Sequence, residues 1–390
     1  MVGAGQLARM THQAAVALGQ SLRVLTEGPG EPAALVAADV VHGRPDDLAA
    51  LRRVAAGCAA LTLDHERVPT EHLRALVADG VAVHPGPDAL AHAQDKLLMR
   101  QTLTSLGVSV PPFREVNRPQ DVVCFGAEHG WPCVLKAARG GYDGRGVWLL
   151  DTPTDARRMV AELLATGTPL LVEQRVAMRR ELAALVARSP FGQGAAWPVV
   201  QTVQRDGICV EVLAPAPGLD PDLAQAGQEL ALRVAGELGV VGVLAVELFD
   251  TADGLLVNEL AMRPHNSGHW TIEGAVTSQF EQHLRAVLDY PLGSTAPRAP
   301  VCVMANVLAA DSRPAMGVDE RLHHLMARYP EAKVHLYAKR ERPGRKIGHV
   351  TVLGAQLAPV RETAVSSATF LATGTWPDGY PGHGPERETA

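Results

Sequence analysis

The sequence predicts an α/β fold whose central part is more mixed, of the α+β type. Over the first ninety or so residues, short apolar strand patterns alternate with helical patterns, which is typical of a parallel sheet with crossover helices. Later apolar strands are joined by tight polar turns, as in antiparallel hairpins. With 390 residues, the chain is long enough for two or three domains.

The composition argues against several classes of protein. Hydrophobic residues make up 47% of the chain and charged residues 20%, as in a globular protein. A formal net charge of -6 provides no general attraction for nucleic acid or for an anionic membrane. The five cysteines lack paired spacing, and there is no signal peptide or long apolar run. We therefore expect a cytoplasmic protein with reduced cysteines that binds neither nucleic acid nor membranes.

The N-terminal residues predict a strand end, a glycine turn and a helix over 7–18, followed by short strands at 22–25 and 61–63. The turn Gly3-Ala-Gly5-Gln6 is similar to the opening of a dinucleotide-binding fingerprint, in which backbone amides approach a phosphate. The third glycine of that fingerprint is missing, so a phosphate-binding turn and a plain tight turn both remain open. Since only two residues precede Gly3, we expect a truncated first strand.

A glycine-rich loop follows a predicted strand that ends in Lys136. The loop contains Gly140, Gly141, Gly144 and Gly146 and leads into another strand. It is not a Walker A loop, because no Gly-Lys-Ser/Thr follows and the lysine precedes the glycines. Such a loop can fold its amides over a polyphosphate while the lysine reaches the phosphates from the sheet. The alternative is an ordinary mobile hairpin.

Two acidic residues lie in apolar strands joined by the turn 250–254. Glu247 is in the first strand, and Asn258-Glu259 is in the second. Buried carboxylates are costly unless a cation compensates them. Carboxylate and amide oxygens together with nucleotide phosphates suit Mg²⁺, and Mn²⁺ could take the same ligands. Glutamates that face outward from a half-exposed hairpin are the alternative.

A polar loop, Arg263-Pro-His265-Asn266-Ser267-Gly-His269, follows this hairpin directly. The two histidines have the i, i+4 spacing of a zinc-binding helix, but the Pro, Asn, Ser and Gly residues disfavour a helix. We therefore interpret the loop as a clamp for an anion and a substrate.

A compact basic turn spans residues 339–346 in an otherwise acidic protein. It contains two of the chain's five lysines, Lys339 and Lys346; the other 31 basic residues are arginines. We interpret the turn as a grip for a phosphate group, and a solvated run of charge is the alternative.

These motifs together resemble those of the N5-carboxyaminoimidazole ribonucleotide synthetases, which are ATP-grasp ligases of purine biosynthesis. The resemblance is carried, in order, by GGYDGRGVW (140–148), ELFDTADGLLVNEL (247–260), RPHNSGHWTIEG (263–274) and ERPGRKIGH (341–349). It implies a Rossmann-like pre-ATP-grasp domain over 1–94, a two-lobed ATP-grasp domain over 95–293, and a small β-rich C-terminal domain over 294–374. Residues 375–390 are rich in Pro, Gly and charged residues, and this composition predicts a disordered tail.

The resemblance also implies roles for individual residues. ATP would be bound by Lys96, Lys136, Gly141, Tyr142, Asp143, Gly144, Arg145, Gly146, Val147, Glu173, Gln174, Arg175, Val176, Glu181, Gln204, Asn258 and Glu259. The ribonucleotide would be bound by Gly5, Gln6, Glu66, Tyr142, Arg145, His265, Asn266, Ser267, Arg345 and Lys346. Mg²⁺ would be held by Glu247 and Glu259, and catalysis would involve Asp143, Arg263 and Lys346.

The implied activity is the ATP-dependent carboxylation of 5-aminoimidazole ribonucleotide by bicarbonate, through carboxyphosphate, in a homodimer. Another ATP-grasp carboxylate-amine ligase, such as a formate-dependent glycinamide ribonucleotide transformylase, is the nearest alternative. A nucleotide-binding homologue with impaired catalysis is a second one. It is motivated by the short N-terminus and by Gln204, which stands where the family pattern has a histidine. Two further departures are Asp64, which shortens a family acid, and Met262, which replaces a proline.

Overall fold

The computed structural model describes residues 1–141 and 146–380. The described strands are β1 Arg23–Thr26, β2 Asp39–His42, β3 Phe113–Val116, β4 Cys133–Ala137, β5 Val147–Leu150, β6 Leu170–Gln174, β7 Met178–Arg188, β8 Gly194–Ala196, β9 Val200–Arg205, β10 Ile208–Ala214, β11 Gly242–Thr251, β12 Gly254–Ala261, β13 Val301–Leu308, β14 Lys333–Leu336 and β15 Lys346–Gly354. The described α-helices are α1 Gln6–Ala17, α2 Leu48–Ala55, α3 Thr70–Ala78, α4 Pro87–Gln94, α5 Lys96–Ser105, α6 Pro119–His129, α7 Pro153–Ala165, α8 Pro221–Glu237, α9 Thr271–Gly274, α10 Gln279–Val287, α11 Val318–Arg328 and α12 Leu357–Thr373.

The N-terminal part has the predicted parallel strand arrangement. Strands β1 and β2 pair in parallel, and Val2 forms parallel bridges with both Leu25 and Leu63. The stretch 61–63, expected to be a strand, takes part only through single bridges, since Leu61 bridges Val83 in turn. Val2 and Leu63 are buried, so this narrow sheet still lies under its helices in a packed core.

A four-stranded antiparallel sheet carries the lysine that precedes the glycine loop. Its strand order is β3-β6-β4-β5, and α6 and α7 pack against it. Alternate residues of β4, Cys133 and Leu135, are fully buried in the same core as Phe125 and Val160. This period-2 pattern fixes the register of β4 and places Lys136 next to the loop.

The second large element is a nine-stranded sheet with the order β12-β11-β7-β9-β10-β13-β15-β14, in which β8 pairs with β7. It includes both strands of the acidic hairpin and also the strands after residue 294. Strands β10 and β13 pair antiparallel, with Glu211 opposite Ala305 and Ala214 opposite Cys302. The C-terminal strands are therefore continuous with the preceding sheet, and α12 covers them by packing on β13 and β15.

Residues 375–380, which the sequence assigns to the start of a tail, pack on the C-terminal part. Trp376 is 4% exposed and stacks on Phe370 with ring centroids 3.9 Å apart. Asp378 forms an ion pair with Arg328. The rest of the expected tail, 381–390, lies outside the described residues. In the part of the chain that the structure describes, no helix combines the length and apolar character needed to cross a membrane.

Candidate functional site

The two sheets meet at Lys136, the last but one residue of β4. Its Nζ lies 2.7 Å from Glu173 Oε2 on β6 and donates a hydrogen bond of 3.2 Å to Asn258 Oδ1 on β12. Lys136 is only 8% exposed, and Glu173 only 2%. The pairing with Lys136, together with the guanidinium of Arg100, keeps the pKa of Glu173 below its usual range against the effect of burial. The predicted phosphate-binding lysine thus lies between the two lobes.

Arg100 is a functional neighbour that the sequence motifs did not identify. This fully buried guanidinium donates from Nε to Glu173 Oε1 at 2.6 Å. Its Nη1 and Nη2 donate to the backbone carbonyls of Val257 and Asn258 at 3.0 and 2.8 Å. Arg100 therefore links α5, β6 and β12. The one available signal was its position four residues after Lys96 on the same helix face.

Lys96 opens α5 and faces the acidic hairpin. Asp95 caps the helix by accepting from the amides of Leu97 and Leu98 at 3.0 and 3.1 Å. The Nζ of Lys96 donates to Glu259 Oε1 at 2.6 Å. The predicted phosphate ligand Lys96 and the predicted metal ligand Glu259 are therefore adjacent.

Glu247 and Glu259 lie directly opposite each other on β11 and β12, next to a β-bulge. Burial, followed by the negative charges of Glu259 and Glu181, raises the pKa of Glu247 to about 7, although Lys96 and Lys346 oppose this. The Nδ2 of Asn258 donates to Glu247 Oε2 at 3.4 Å. The nearby lysines therefore do not fully compensate the negative charge of the carboxylates in this site.

This donor set fits a divalent cation that takes its remaining ligands from a substrate. Among residues 1–141 and 146–380, no group of three or more His, Cys, Asp or Glu side chains is arranged to hold a metal. The protein thus offers the pair Glu247 and Glu259 with the neighbouring amide of Asn258. Mg²⁺ commonly binds through one or two carboxylates together with nucleotide phosphates. His265 and His269 belong to no such metal-binding group.

The predicted adenosine-binding residues lie where the chain passes from one sheet to the other. Strand β6 ends at Gln174 and β7 begins at Met178, so Arg175 and Val176 lie in the connection. The carboxylate of Glu173 is engaged by Arg100 and Lys136, and its backbone lies in the ladder between β3 and β4. Both the side chain and the backbone of Glu173 therefore already have partners within the protein.

Glu181 and Gln204, which the resemblance assigns to ATP binding, lie on β7 and β9 and interact with each other. Burial raises the pKa of Glu181, whereas a hydrogen bond from Gln204 and the charge of Lys136 lower it. Gln204 therefore stabilises the ionised carboxylate without carrying a charge of its own.

The polar loop after β12 enters the same site. Arg263 is held by Glu66, with Nε 2.9 Å from each carboxylate oxygen. His265 is oriented by Ser267, whose Oγ lies 2.9 Å from His265 Nδ1, and its Nε2 lies 3.6 Å from Glu247 Oε1. Asn266 Nδ2 is buried and makes no hydrogen bond of standard geometry in the described part of the chain, although a weak interaction with the Cys209 thiol opposes the rise of that thiol's pKa on burial. The amide can therefore donate to a ligand.

Burial and the positive charges of Arg263 and Lys346 lower the pKa of His265 to about 3. Its imidazole is therefore neutral at physiological pH. Lys346, the first residue of β15, influences the pKa of both Glu247 and His265, which places its charge in this site. Arg345 precedes it, is half-buried and donates to the carbonyl of Arg340 at 3.1 Å.

The N-terminal turn already contains a carboxylate. The amides of Gly5 and Ala8 donate to the two oxygens of Asp64 at 2.6 and 3.0 Å, at the start of α1. A ligand phosphate at Gly5 would have to displace Asp64. Gln6, the first residue of α1, is half-buried beside this turn.

Four predicted residues of the glycine loop, Tyr142, Asp143, Gly144 and Arg145, lie outside the described residues. Gly141 and Gly146 flank this segment. Gly146 has a φ of +75°, which favours glycine, and its carbonyl accepts from the amide of Ala137 at 2.8 Å. Val147 pairs with Lys136 across β4 and β5, so the loop is anchored directly beside the buried lysine.

Three family models match the chain. Residues 1–94 match the ribonucleotide synthetase preATP-grasp domain, 101–280 the ATP-grasp domain, and 302–363 the phosphoribosylaminoimidazole carboxylase C-terminal domain. An N5-carboxyaminoimidazole ribonucleotide synthase of Mycobacterium tuberculosis is 65% identical over 98% of this chain and 90% of its own length. The N5-carboxyaminoimidazole ribonucleotide synthase of Corynebacterium ammoniagenes is 48% identical over 97% of this chain and 93% of its own length.

Solved structures agree with these matches. N5-carboxyaminoimidazole ribonucleotide synthetase from Thermus thermophilus superposes with a TM-score of 0.84 at 38% identity, covering 96% of this chain and 98% of that one. The Aspergillus clavatus synthase, solved with ADP and 5-aminoimidazole ribonucleotide, has a TM-score of 0.85 at 31% identity over 95% and 97% of the two chains. The α/β fold and the order of pre-ATP-grasp, ATP-grasp and C-terminal parts are therefore confirmed.

Proposed function

Because the chain belongs to the N5-carboxyaminoimidazole ribonucleotide synthase family, we propose that it carboxylates 5-aminoimidazole ribonucleotide with bicarbonate at the expense of ATP, in purine biosynthesis. The products are N5-carboxyaminoimidazole ribonucleotide, ADP and phosphate. One observation carries the proposal: residues suited to bind a phosphate, a metal ion and an anionic substrate lie at one place. The phosphate would be bound by Lys136, the metal ion by Glu247 and Glu259, and the anionic substrate by the polar loop that begins at Arg263.

The nucleotide binds between the two sheets. Lys136 and Lys96 supply positive charge to its phosphates, and Glu181 accepts from the ribose hydroxyls while Gln204 supports it. The backbone of the connection 174–176 faces the base. As the resemblance implies, the glycine-rich loop that begins at Gly141 and ends at Val147 beside Lys136 would cover the phosphates and exclude water, which would protect a reactive intermediate from hydrolysis.

Glu247 and Glu259 would hold Mg²⁺, with Asn258 beside it, and Mn²⁺ could replace it. When bound, the ion neutralises charge on the transferring phosphoryl group. The pKa of Glu247 near 7 in the protein alone is consistent with a carboxylate whose ionisation needs a further cation.

Carboxylation proceeds in two balanced steps. A bicarbonate oxygen forms a bond to the γ-phosphorus as the bond to the β-phosphate oxygen breaks, which yields carboxyphosphate and ADP. The exocyclic amine of the ribonucleotide then attacks the carbonyl carbon of carboxyphosphate, and the bond from this carbon to the phosphate oxygen breaks. The amine loses a proton to a base, which could be Asp143. Arg263, held by Glu66, offsets the developing negative charge, and the neutral His265 and the Asn266 amide can donate hydrogen bonds.

The ribonucleotide itself occupies the side of the site formed by the polar loop and by Arg345 and Lys346 of the basic turn. Gly5, Gln6 and Tyr142 with Arg145 would complete that side. We further propose that the protein is a homodimer, and that the domains of each chain end at residues 94, 293 and 374, as the resemblance implies. From the composition we propose that it acts in the cytoplasm. Light scattering at micromolar concentration should report twice the chain mass of 41.3 kDa.

Phosphate release tests the activity directly. Purified protein with ATP, Mg²⁺ and bicarbonate should release phosphate only when 5-aminoimidazole ribonucleotide is present, and a Lys136→Met variant should lose this activity. Formate with glycinamide ribonucleotide serves as the matched control and should give none. Turnover that is independent of aminoimidazole ribonucleotide, or that requires formate, would refute the assignment. Binding of ATP without any turnover would indicate a catalytically impaired homologue instead.

A further inference from the structure

A buried glutamine lies beneath the polar loop and was singled out by no motif. Gln279 is the first residue of α10 and is fully buried. The amide N–H of His265 donates to Gln279 Oε1 at 2.8 Å, and Gln279 Nε2 donates to the carbonyl of His265 at 2.8 Å. The side-chain amide thus pairs with the peptide groups of one residue as a neighbouring β-strand would.

The hydrogen-bond partners of this amide determine which end is the oxygen and which the nitrogen. Since a backbone N–H can only donate and a carbonyl can only accept, the oxygen and nitrogen of Gln279 cannot exchange places. The same Nε2 lies 2.9 Å from His269 Nδ1, which must then accept. All the hydrogen-bonding groups of the Gln279 amide are therefore directed at the loop, at its two histidines.

The loop approaches the glutamine closely because Gly268 has no side chain. A Cβ at Gly268 would lie 2.3 Å from Gln279 Oε1 and 2.7 Å from Leu185 Cδ2. The backbone of Gln279 is fixed as well, because its N–H donates to Thr271 Oγ1 at 2.8 Å. We call the two hydrogen bonds between the Gln279 amide and the His265 peptide groups the Gln279 clamp. Both partners of this clamp are held in place by their surroundings.

The clamp determines where the imidazole of His265 points. Ser267 N–H lies 3.4 Å from His265 Nδ1, so Nδ1 accepts and the proton resides on Nε2. That N–H is directed toward Glu247 Oε1, at 3.6 Å. With the backbone held by Gln279 and the ring held by Ser267, His265 has one defined orientation in the site.

We propose that Gln279 is a positioning residue for the carboxylation step, which fixes His265 in the orientation required to receive the ribonucleotide and its carboxylating partner. The proposal rests on the proposed function. Gln279 contacts no reacting atom itself. Its loss should therefore impair use of the ribonucleotide and leave nucleotide binding by Lys136 and Glu181 intact.

The chain provides a matched control on the same helix. Gln282 is also fully buried, and it makes the same two bonds to one residue: its Nε2 donates to the carbonyl of Gly293, and its Oε1 accepts from Gly293 N–H, both at 2.8 Å. Gly293 lies in the segment after α10 and not in the polar loop. Gln279→Met and Gln282→Met each remove a pair of bonds to the peptide groups of one residue and add the same side chain, and Gln279→Met also removes the contact with His269.

Steady-state kinetics of both variants separate positioning from stability. We expect Gln279→Met to lower kcat/KM for aminoimidazole ribonucleotide by about 10-fold to 100-fold, as for a displaced group that must be aligned. The dissociation constant for ADP should stay within about twofold. Gln282→Met should leave kcat/KM and the dissociation constant for ADP within about twofold of the wild type, even if its Tm falls as much as that of Gln279→Met. Gly268→Ala, which pushes on the clamp from the other side, should reproduce the kinetic effect of Gln279→Met.

Equal kinetic losses in the two glutamine variants, or normal kinetics of Gln279→Met, would overturn the proposal. Hydrogen exchange on the wild type supplies a measurement that needs no variant to fold and no activity. The His265 amide should be protected about as well as the Gly293 amide, and rapid exchange at His265 would equally overturn the clamp. If the wild type fails to carboxylate the ribonucleotide but His265 is protected, the proposed function fails and the clamp does not.

Discussion

A buried histidine that joins the N-terminal part to the ATP-grasp part should make the protein sensitive to acid. His283, on α10, accepts from the amide of Val243 at Nδ1, at 3.1 Å, so its Nε2 carries the proton and bonds Thr62 Oγ1 at 2.7 Å. Both ring nitrogens are therefore engaged in the neutral form. Protonation would place a second proton at Nδ1, facing the Val243 N–H, and would bury a charge.

The magnitude follows from the pKa difference between the folded and unfolded states. Burial, with a smaller effect of His84, lowers the pKa of His283 from 6.5 to about 3. The unfolded chain then binds more protons below pH 6.5, so this contribution to stability is present above pH 6.5 and is lost as the pH falls toward 3. Between pH 7.5 and 5.0, His283 alone should reduce the free energy of unfolding by about 2 kcal/mol.

Urea unfolding of the wild type and of His283→Gln at these two pH values tests this reasoning. The variant will be less stable at pH 7.5, but its loss on acidification should be smaller than that of the wild type by about 2 kcal/mol. His323→Gln, at an exposed position of α11, is the control and should keep the wild-type pH dependence. An identical loss in His283→Gln and the wild type would show that His283 is not held neutral by the fold.

Three further substitutions test the nucleotide side of the site. Lys136→Arg should lower ATP turnover by about 100-fold or more, because a planar guanidinium does not fit the position of the ammonium between Glu173 Oε2 and Asn258 Oδ1. Lys333→Arg, at an exposed position of β14, should be nearly silent. Equal effects of the two substitutions in a phosphate-release assay would refute this. Arg100→Met should destabilise the protein by about 3 kcal/mol in urea, since it removes one partner of a buried ion pair and leaves Glu173 with one cation; a cost below about 1 kcal/mol would contradict the role of Arg100 as a link between the lobes. Gln204→His should add a titration between pH 6 and 8 to the KM for ATP, and a profile that matches the wild type would show that the side chain at this position does not influence the nucleotide.

Local sequence patterns predicted the hairpin and the strands that carry most of the candidate ligands. The hairpin with Glu247 and Glu259 was predictable because carboxylates in apolar strands require compensation, and the strand register indeed places them opposite each other. Lys136 was predictable because a strand and a glycine-rich loop have short-range signatures. Each of these inferences depends on residues that are close in sequence.

The supporting contacts could not be predicted because they join distant segments. Arg100 looks like an ordinary helix residue until β6 and β12 are brought against it. Gln279 has no sequence signal either, since its partners, the peptide groups of His265 and the ring of His269, lie in a different segment of the chain. Asp64 was noted only as a shortened acid, and nothing local shows that it caps the turn at Gly5 from 59 residues away.

The pairing of β10 with β13 means that the C-terminal part is not a detachable module. A chain ending near residue 293 would leave the edge of β10 with unpaired N–H and C=O groups, next to a surface stripped of the side chains of Val303 and Ala305. Exposed edges of this kind recruit other strands, so such a fragment should associate with itself rather than remain a smaller ATP-binding enzyme. The C-terminal part could be exchanged for another domain only if the first strand of the replacement paired with β10 in the register of β13.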